Sequence, residues 1–549
     1  MPAYLRNLIT EALLSAYQTV LPDGPTVTVE VRPTDRAEFG DYSSNVALVV
    51  GKSVGIPPRE LAERLADRLG RDEEGFSRIE VAGPGFLNFF LEPAAIHASL
   101  KEALSAGERF GSSSEGEGVR LQVEFVSSNP TGPLTVGHGR QAVLGDVLAA
   151  LYERLGYDVT REYYFNDEGR QIDLLAESLW VRFRELCGES RPIPEGGYEG
   201  DYLREIAEEI RAEAEEEFPE FDRGTKERFR REAVTRITAW IKEDLAKLGV
   251  QFDSWFSEAT LHRAGKVEET LSELKGRGGT YEKDGAIWLA AERHGGAKDS
   301  VLIKSDGRPT YLMVDIVYHI DKFRRGFSRV IDVQGSDHQV EQSCVKAALR
   351  ILGFPDDFLS YAVHQFVSLK ERGEIKRMST RAGRFFPLRT LIDELGKDVV
   401  RYFMVSRRPE AHLEFDLDLA RDESLDNPAT YVKYAHTRIA SIFRKAVELK
   451  VDFARADLSL LREREELDLI KKIDRFPEVI EAAARAFAPH MLTEYGLDIA
   501  RSFHAYYDKH RVLSDDLDLA RARLSLLSAA RLVLKGTLEI LGMDAPEEM

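Results

Sequence analysis

The 549-residue sequence predicts an α/β multidomain protein with a parallel-sheet core, a helical insertion, an α+β N-terminal domain and an all-α C-terminal bundle. Three patterns predict this class. A strand, a glycine-bearing loop, a helix and a second strand follow one another between Val119 and Phe165. Short strands and helices alternate before this unit. After Asp426 the apolar residues recur at helical spacing almost throughout.

Residues 1–115 are predicted to form the α+β domain. Tyr4 to Tyr17 has the pattern of an amphipathic helix, and Thr26 to Val31 alternates as a strand does. Pro58 to Leu69 indicates a second helix with proline at its start. Ile79 to Leu91 indicates two strands around a Gly-Pro-Gly break.

The core is predicted over residues 119–370. Its first strand alternates apolar and polar residues, the apolar ones being Val119, Leu121, Val123 and Phe125. The loop Ser127 to Gly139 leads into a helix whose apolar stripe runs from Val143 to Leu155, and Gly156 ends that helix. Tyr157 to Phe165 then completes a βαβ unit.

An insertion on this core is predicted at about residues 176–300. From Ala176 to Leu248 the pattern is that of long charged helices, interrupted at Pro192 to Gly197. Gly278 to Leu289 and Ser300 to Arg308 each carry an Asp-Gly turn signal, which is typical of hairpins.

The chain then returns to the core. Pro309 to His319 opens a helix on which Tyr311 and Asp315 stand one turn apart and share a face. A strand at Arg329 to Gln334 ends in the turn Gly335 to His338. Open α/β sheets bind their ligands at this end of a strand.

Two regions complete the chain. Residues 371–425 begin with a basic, glycine-containing loop, Lys370 to Arg384, which follows the predicted strand Tyr361 to Val367. Residues 426–549 are predicted to form the helical bundle.

Composition bounds the function. The net charge of −19 argues against a nucleic-acid ligand, although much of the excess is local, as in Glu208 to Glu220. Cys187 and Cys344 lie far apart and outside any Cys/His cluster, which fits a reducing compartment and argues against zinc. The sequence contains no apolar run long enough for a signal peptide or a membrane span, so we expect a soluble cytoplasmic protein.

The loop before the first core helix has a physical use. The first amides of a helix lack partners and attract phosphate. Gly137 and Gly139 would let a nucleotide approach the backbone, and His138 could donate to an oxygen that gains charge. A tight turn with a capping histidine explains the same residues, so the spacing alone favours function only slightly.

Larger segments strengthen the functional interpretation. Asn129 to His138 resembles the HIGH signature of class I aminoacyl-tRNA synthetases in the form typical of arginyl-tRNA synthetases, with Thr135 where the first His is usual. Arg377 to Arg381 resembles the KMSKS signature, with Thr380 where its second Lys is usual. Ala82 to Asn88 is similar to part of the N-terminal domain of the arginyl enzymes.

The resemblance implies a Rossmann-type catalytic core, a KMSKS-like loop and stem-contact region at 371–425, and a helical anticodon-binding domain. It also implies the activity: arginine is activated with ATP, with release of pyrophosphate, and is then transferred to the terminal ribose of tRNA(Arg). The implied partners are L-arginine, ATP and tRNA(Arg), with Mg²⁺ held mainly by phosphate oxygens and water. The family is usually monomeric.

Catalytic and ATP-binding roles follow from the resemblance, because phosphoryl transfer needs donors and positive charge on the phosphates. The catalytic candidates are His138, Arg377, Ser379 and Arg381. The ATP-binding candidates are Pro130, Gly132, Thr135, Gly137, His138, Gly139, Asp337, His338 and Met378.

An arginine substrate needs carboxylates, which pair with guanidinium in a bidentate geometry. The resemblance places Glu124 and Asn129 at the backbone end of the amino acid, and Tyr311 and Asp315 at its side chain. A surface ion pair is the alternative for Asp315, but its apolar neighbours in the sequence argue against it. The arginine-binding candidates are Glu124, Ser128, Asn129, Tyr311, Asp315, Gln334 and Gln339.

Contacts to RNA are predicted in both terminal domains, since aromatic side chains can stack on splayed bases. A core role explains each aromatic residue equally well or better. The candidates are Phe86, Asn88, Tyr431, Tyr434, His436, Tyr507, Arg511 and Met549.

Two other functions remain open on the sequence. A nucleotidyltransferase that adenylylates a small acid without tRNA would share the loop, but it leaves both terminal domains unexplained. An inactive synthetase-like protein that only holds RNA would account for Thr135 and Thr380.

Overall fold

The computed structural model describes residues 3–34, 36–72, 75–167, 169–213, 218–376, 386–453 and 455–548. The N-terminal strands are β1 (Val31–Pro33), β2 (Tyr42–Ser44), β3 (Phe76–Ala82) and β4 (Phe86–Leu91). They form an antiparallel sheet in the order β1-β2-β4-β3. The accompanying helices are α1 (Tyr4–Val20), α2 (Val46–Val54), α3 (Pro58–Asp72) and α4 (Pro93–Ala106). The strand predicted at Thr26 to Val31 forms only at Val31–Pro33, because only this stretch pairs with β2.

The core is a five-stranded, fully parallel sheet. Its strands are β5 (Arg120–Glu124), β6 (Asp158–Phe165), β7 (Ser254–Ser257), β11 (Arg329–Gly335) and β12 (Leu359–His364), in the order β12-β11-β5-β6-β7. The helix α5 (Val136–Arg154) connects β5 to β6, whereas β11 pairs with the other edge of β5. The strand order therefore reverses between β5 and β11, and this is where open sheets form a ligand crevice.

The predicted insertion at about 176–300 is only partly outside the core. Its helices are α6 (Arg170–Leu186), α7 (Tyr202–Glu213), α8 (Arg223–Lys247), α9 (Ala259–Arg263) and α10 (Lys266–Gly276). Ser254–Ser257, however, is β7 and extends the parallel sheet beside β6. The sequence did not reveal this strand, because four residues are too few to show a period.

The predicted hairpins are present. The strands β8 (Thr280–Lys283), β9 (Ala286–Leu289) and β10 (Ser300–Ile303) form an antiparallel sheet that leads into α11 (Tyr311–Arg324). The helix α12 (Gln339–Ile351) follows β11. A last small sheet joins β13 (Val367–Glu371), β14 (Glu374–Lys376) and β15 (Leu413–Asp416), beside α13 (Leu388–Leu395), α14 (Lys397–Val405) and α15 (Leu417–Arg421).

The C-terminal unit is all helical. It contains α16 (Pro428–Glu448), α17 (Arg464–Asp474), α18 (Phe476–Arg485), α19 (His490–Lys509) and α20 (Leu517–Ile540). One hydrophobic cluster runs from the N-terminal domain through α5 into this bundle, and a second one lies under α11 and α12. The predicted fold class is thus confirmed. Among the described residues, no helix is long and apolar enough to cross a bilayer.

Candidate active site

His138 lies in the first turn of α5, where a backbone contact determines its tautomer. The backbone N–H of Thr135 donates to Nδ1 of His138 at 3.1 Å, so the neutral ring carries its proton on Nε2. Burial, together with the nearby His364, lowers the pKa of His138 to about 4. At neutral pH His138 is therefore uncharged. Because its Nε2–H is not used by this bond, the ring can donate from the helix N-terminus.

The two glycines of the first turn serve different purposes. A Cβ on Gly137 would meet only Thr135 Oγ1 at 3.7 Å, so this backbone is open to a ligand. A Cβ on Gly139 would lie 2.6 Å from Leu388, at the start of α13. The Leu388 N–H also donates to the carbonyl of Leu134 at 2.8 Å. Gly139 thus allows α13 to pack on the loop, which corrects the expectation that it opens the backbone to a nucleotide.

A cavity of about 1020 Å³ lies at the carboxyl ends of β5 and β11, as the strand order requires. Five of the residues predicted to bind ATP line it: Thr135, Gly137, His138, Asp337 and His338. Six of the residues predicted to bind arginine do so too: Glu124, Ser128, Asn129, Tyr311, Asp315 and Gln334. The site is therefore one continuous space with the glycine-bearing start of α5 on one side and carboxylates on the other.

Three of the predicted residues line neither this cavity nor the smaller one that adjoins it. Pro130 is buried, Gly139 packs on α13, and Gln339 is an exposed residue at the start of α12. Gly132 borders an adjoining cavity of about 760 Å³ that also contains His138 and Tyr202. There the Tyr202 hydroxyl donates to the Thr131 carbonyl at 2.6 Å.

Asp315 is the exceptional acid of the large cavity. Burial raises its pKa well above the ordinary range, and the nearby carboxylates of Glu341 and Glu124 raise it further. No hydrogen bond or ion pair to its carboxylate occurs among the residues that the structure describes. An acid in this position is stabilised in its charged form by a cation. The cavity therefore favours a cationic ligand next to Tyr311, whose side chain is 69% exposed one turn earlier.

The other arginine-binding candidates are already engaged with protein groups. Glu124 accepts from the Lys322 ammonium at 2.5 Å and from the Ser127 hydroxyl at 2.8 Å. Asn129 donates to Gln171 at 3.1 Å and accepts from the backbone of Asn166. These bonds fix the directions of both side chains before any substrate binds.

Several residues of the cavity were not singled out from the sequence. They include Gln141, Tyr164, Glu341, His364 and Phe366. His364 ends β12 and Phe366 follows two residues later, and Gln334 likewise lies at the end of β11, so the end-of-strand rule could have identified them. Gln141 donates to the Val333 carbonyl at 2.6 Å, a contact between α5 and β11 that no sequence pattern announces.

The structure separates the RNA-contact candidates into two groups. Phe86 is 40% exposed, Tyr431, Tyr434 and Tyr507 are half-buried, and Arg511 is exposed. Asn88 and His436 are buried, and Nδ1 of His436 donates to the Pro546 carbonyl at 3.0 Å. Their burial argues against the base contacts predicted for these two residues. The predicted sites Arg377, Met378, Ser379, Arg381 and Met549 lie outside the described residues.

The parallel sheet, the glycine-bearing helix N-terminus at its switch point and the helical C-terminal unit define a class I aminoacyl-tRNA synthetase. The family of class I tRNA synthetase (R) catalytic domains matches residues 99–411. The arginyl tRNA synthetase N-terminal domain matches residues 3–91, and the DALR anticodon binding domain matches residues 432–549.

Full-length relatives agree with these matches. The chain is 44% identical to an arginine–tRNA ligase of Thermotoga maritima, over 99% of each of the two chains. It is 43% identical to an arginine–tRNA ligase of Syntrophotalea carbinolica, over 100% of each chain. An arginyl-tRNA synthetase structure from Campylobacter jejuni covers 84% of this chain and all of its own, with 34% identity and a TM-score of 0.77. The Thermus thermophilus structure, at 24% identity and a TM-score of 0.78, shares the fold over 99% of this chain and all of its own. The chain belongs to the arginine–tRNA ligase family.

Proposed function

We propose that this protein is an arginine–tRNA ligase. It activates L-arginine with ATP, releasing pyrophosphate, and transfers arginine from the adenylate to the 3′-terminal ribose of tRNA(Arg). One observation carries the proposal beyond family membership: the carboxylate of Asp315, which has no partner in the part of the chain that the structure describes, shares a single cavity with the helix N-terminus at His138. A guanidinium and a triphosphate have opposite charges, and this cavity offers a place for each.

In the first step the substrate carboxylate attacks the α-phosphorus of ATP and pyrophosphate leaves. The α5 amides at Gly137 and the Nε2–H of His138 donate to the phosphate oxygens, which gain charge in the transition state. We assign Arg377, Ser379 and Arg381 to the leaving pyrophosphate, on the resemblance of their segment to KMSKS. No covalent enzyme intermediate is required, so rate comes from positioning and charge stabilisation.

Arginine is bound at the acidic side of the cavity. Asp315 takes the guanidinium with Tyr311 beside it, and Glu124 and Asn129 take the α-ammonium end. This assignment is supported by the engagement of Glu124 and Asn129 in fixed hydrogen bonds, since pre-oriented acceptors bind a ligand at a smaller entropic cost.

We further propose that each domain has its own role in binding tRNA or activating arginine. Residues 1–115 contact the tRNA elbow through Phe86, residues 119–370 activate arginine, residues 371–425 contribute the KMSKS-like loop and a stem contact, and residues 426–549 bind the anticodon. Exposed or half-buried groups support the last assignment, namely Tyr431, Tyr434, Tyr507 and Arg511. The enzyme is expected to act as a monomer in the cytoplasm.

Mg²⁺ is proposed to arrive with ATP. Among the described residues, no group of three or more His, Cys, Asp or Glu side chains is arranged to hold a metal ion. Mg²⁺ commonly binds through substrate phosphates and one or two carboxylates. The exposed Asp337, which lines the cavity, could supply such a carboxylate. The ion would neutralise phosphate charge.

One assay tests the proposal: arginine-dependent exchange of pyrophosphate into ATP, measured with and without tRNA(Arg), followed by aminoacylation. We expect exchange that depends on arginine and on tRNA, and charging of tRNA(Arg). Exchange with another small acid and no RNA requirement would indicate a nucleotidyltransferase. RNA binding without exchange would indicate an inactive binding protein. Either result would refute the proposal.

A further inference from the structure

A lysine is completely buried beneath the cavity, on α11. The Lys322 side chain is 0% exposed, and its ammonium donates to Glu124 at 2.5 Å and to Asp332 at 2.8 Å. The ammonium also lies 4.3 Å from the ring centroid of Tyr318. A buried ammonium is expensive unless its charge is matched, and here two carboxylates match it.

A histidine completes the network. Nε2 of His319 lies 2.8 Å from the second carboxylate oxygen of Asp332, and its Nδ1 lies 2.8 Å from the Asp315 carbonyl oxygen. Both ring nitrogens thus face oxygen acceptors. The Lys322 ammonium pairs with both Glu124 and Asp332. The Asp315 carboxylate takes no part in these bonds and lines the cavity.

We infer that Lys322 is a positioning residue for arginine binding: through its ion pair it fixes the charge and the direction of the Glu124 carboxylate, which binds the α-ammonium. The inference rests on the proposed function, because it requires arginine in this cavity. Lys322 itself has no exposed surface and is not among the residues that line the cavity, so it acts through Glu124.

The surroundings of Glu124 explain why it needs this support. The titratable groups that face it come from four elements: Tyr164 on β6, Asp315, Tyr318, His319 and Lys322 on α11, Asp332 on β11, and Tyr361 on β12. Among these groups, Lys322 is the one that forms an ion pair with the Glu124 carboxylate. Burial raises the pKa of Glu124, Asp332 raises it further, and Lys322 is the largest influence that lowers it. Without Lys322 the carboxyl group would be protonated over a wider range of pH.

The test is a double-mutant cycle on the full-length enzyme with tRNA(Arg). We measure KM for arginine and for ATP in Lys322→Met, Glu124→Gln and the double variant from pH 6 to 9. Each single change is expected to raise KM for arginine about tenfold or more at pH 7, while KM for ATP changes little. KM for arginine in the double variant is expected to be no higher than in the single variant with the higher KM, because Lys322 acts through Glu124.

The pH profile separates positioning from a purely structural role. In Lys322→Met, KM for arginine is expected to fall as pH rises and Glu124 ionises, whereas wild type and Glu124→Gln lack this dependence. Lys266→Met is the matched control. Lys266 pairs with Asp321, which lies on α11 next to Lys322, but Lys266 does not line the cavity. Its KM for arginine should stay at the wild-type value.

Several results would overturn the inference. They are additive effects in the double variant, a pH-independent loss in Lys322→Met, equal losses for ATP and arginine, or an unchanged KM in Glu124→Gln. If Lys322→Met does not fold, Lys322→Gln, which keeps a donor but removes the charge, takes its place. An unchanged KM in Glu124→Gln overturns the inference even if neither lysine variant folds. A wild-type protein without arginine-dependent activity would instead refute the proposed function.

Discussion

At the scale of single residues, we propose that His138 acts as a neutral hydrogen-bond donor to the phosphate oxygens. Its low pKa, about 4, keeps the ring uncharged at every pH where the enzyme is expected to work. We expect His138→Ala to lower kcat for pyrophosphate exchange by about 10²–10³, the usual effect of losing one transition-state donor. His138→Gln keeps an N–H group and should lose less.

The pH dependence of the same variants provides a control. Because the ring stays neutral, the wild-type exchange rate should show no titration of His138 between pH 6 and 8. A step in the wild-type profile within that range that disappears in His138→Gln would contradict the neutral-donor role.

Asp315 makes a different prediction, which concerns binding. Its carboxylate has no partner among the described residues, so it should pair with the substrate guanidinium. Asp315→Asn is expected to raise KM for arginine by about 10² or more, because a desolvated charge pair is lost. KM for ATP should remain near the wild-type value. Asp306→Asn is the matched control, since Asp306 pairs with Arg308 in an exposed turn.

At the scale of elements, the contact between the α5 loop and α13 depends on one missing side chain. In an unobstructed helix, Gly→Ala stabilises by about 0.5–1 kcal/mol. At Gly139, however, the added Cβ would lie 2.6 Å from Leu388. We therefore expect Gly139→Ala to lower the free energy of unfolding by about 1–3 kcal/mol, as overpacking does. Urea unfolding measures this change.

The same experiment has an internal control in Gly137. Gly137→Ala meets no clash, so stability should hold or rise, while KM for ATP increases because the open backbone is lost. Leu388→Ala, which truncates a fully buried side chain, should cost less stability in the Gly139→Ala background than in wild type, because it also removes the clash. If both glycine variants had the same stability, the packing explanation for Gly139 would be incorrect.

The N-terminal domain is held on the bundle by a cap from another element. The helix α1 has no side-chain cap of its own; instead Asp474, at the end of α17, accepts from the backbone N–H groups of Tyr4 at 2.9 Å and Leu5 at 3.1 Å. Burial raises the pKa of Asp474 to about 7, although these two bonds oppose the rise. In the unfolded chain an aspartate titrates near pH ~4.

The sign of the resulting pH dependence follows from proton binding. Between pH ~4 and ~7 the folded state holds a proton that the unfolded state has lost, so stability falls as pH rises through this window. We expect wild type to lose up to about 4 kcal/mol relative to Asp474→Asn between pH 4 and 8. Urea unfolding of both proteins at several pH values measures the difference. A constant difference would show that Asp474 does not titrate in this way.

The elements also show how far sequence reasoning reaches. The β5–loop–α5 unit could be predicted because its period, its glycines and its helix stop are all local. Lys322 could not be placed, because a lysine on an apolar helix face is buried only if acids from β5 and β11 meet it. For His436 the sequence left a base contact and a core role both open, because its partner, Pro546, is 110 residues away.

At the scale of the whole molecule, one arginine joins three parts of the chain. Arg401 is fully buried and donates to the Leu541 carbonyl at 2.6 Å, to the Leu248 carbonyl at 3.1 Å and to Asp146 on α5 at 2.5 Å. The bundle, the inserted helices and the helix that carries His138 therefore share a single guanidinium. A planar group whose five donors point in fixed directions from three nitrogens suits such a junction, since each nitrogen here bonds a different acceptor.

Removing this guanidinium should therefore affect the assembly of all three parts together. Arg401→Met leaves two carbonyls without this donor and takes one of its two charge partners in the described residues from the Asp146 carboxylate, which keeps Arg161 at 3.0 Å. We expect a loss of about 3–5 kcal/mol in the free energy of unfolding, the range for breaking a buried ion pair. Lys247→Met is the control. Lys247 ends α8, next to Leu248, and forms a partly exposed ion pair with Asp393 that should contribute less than about 1 kcal/mol. Equal losses in the two variants would mean that the junction does not stabilise the arrangement of the three parts.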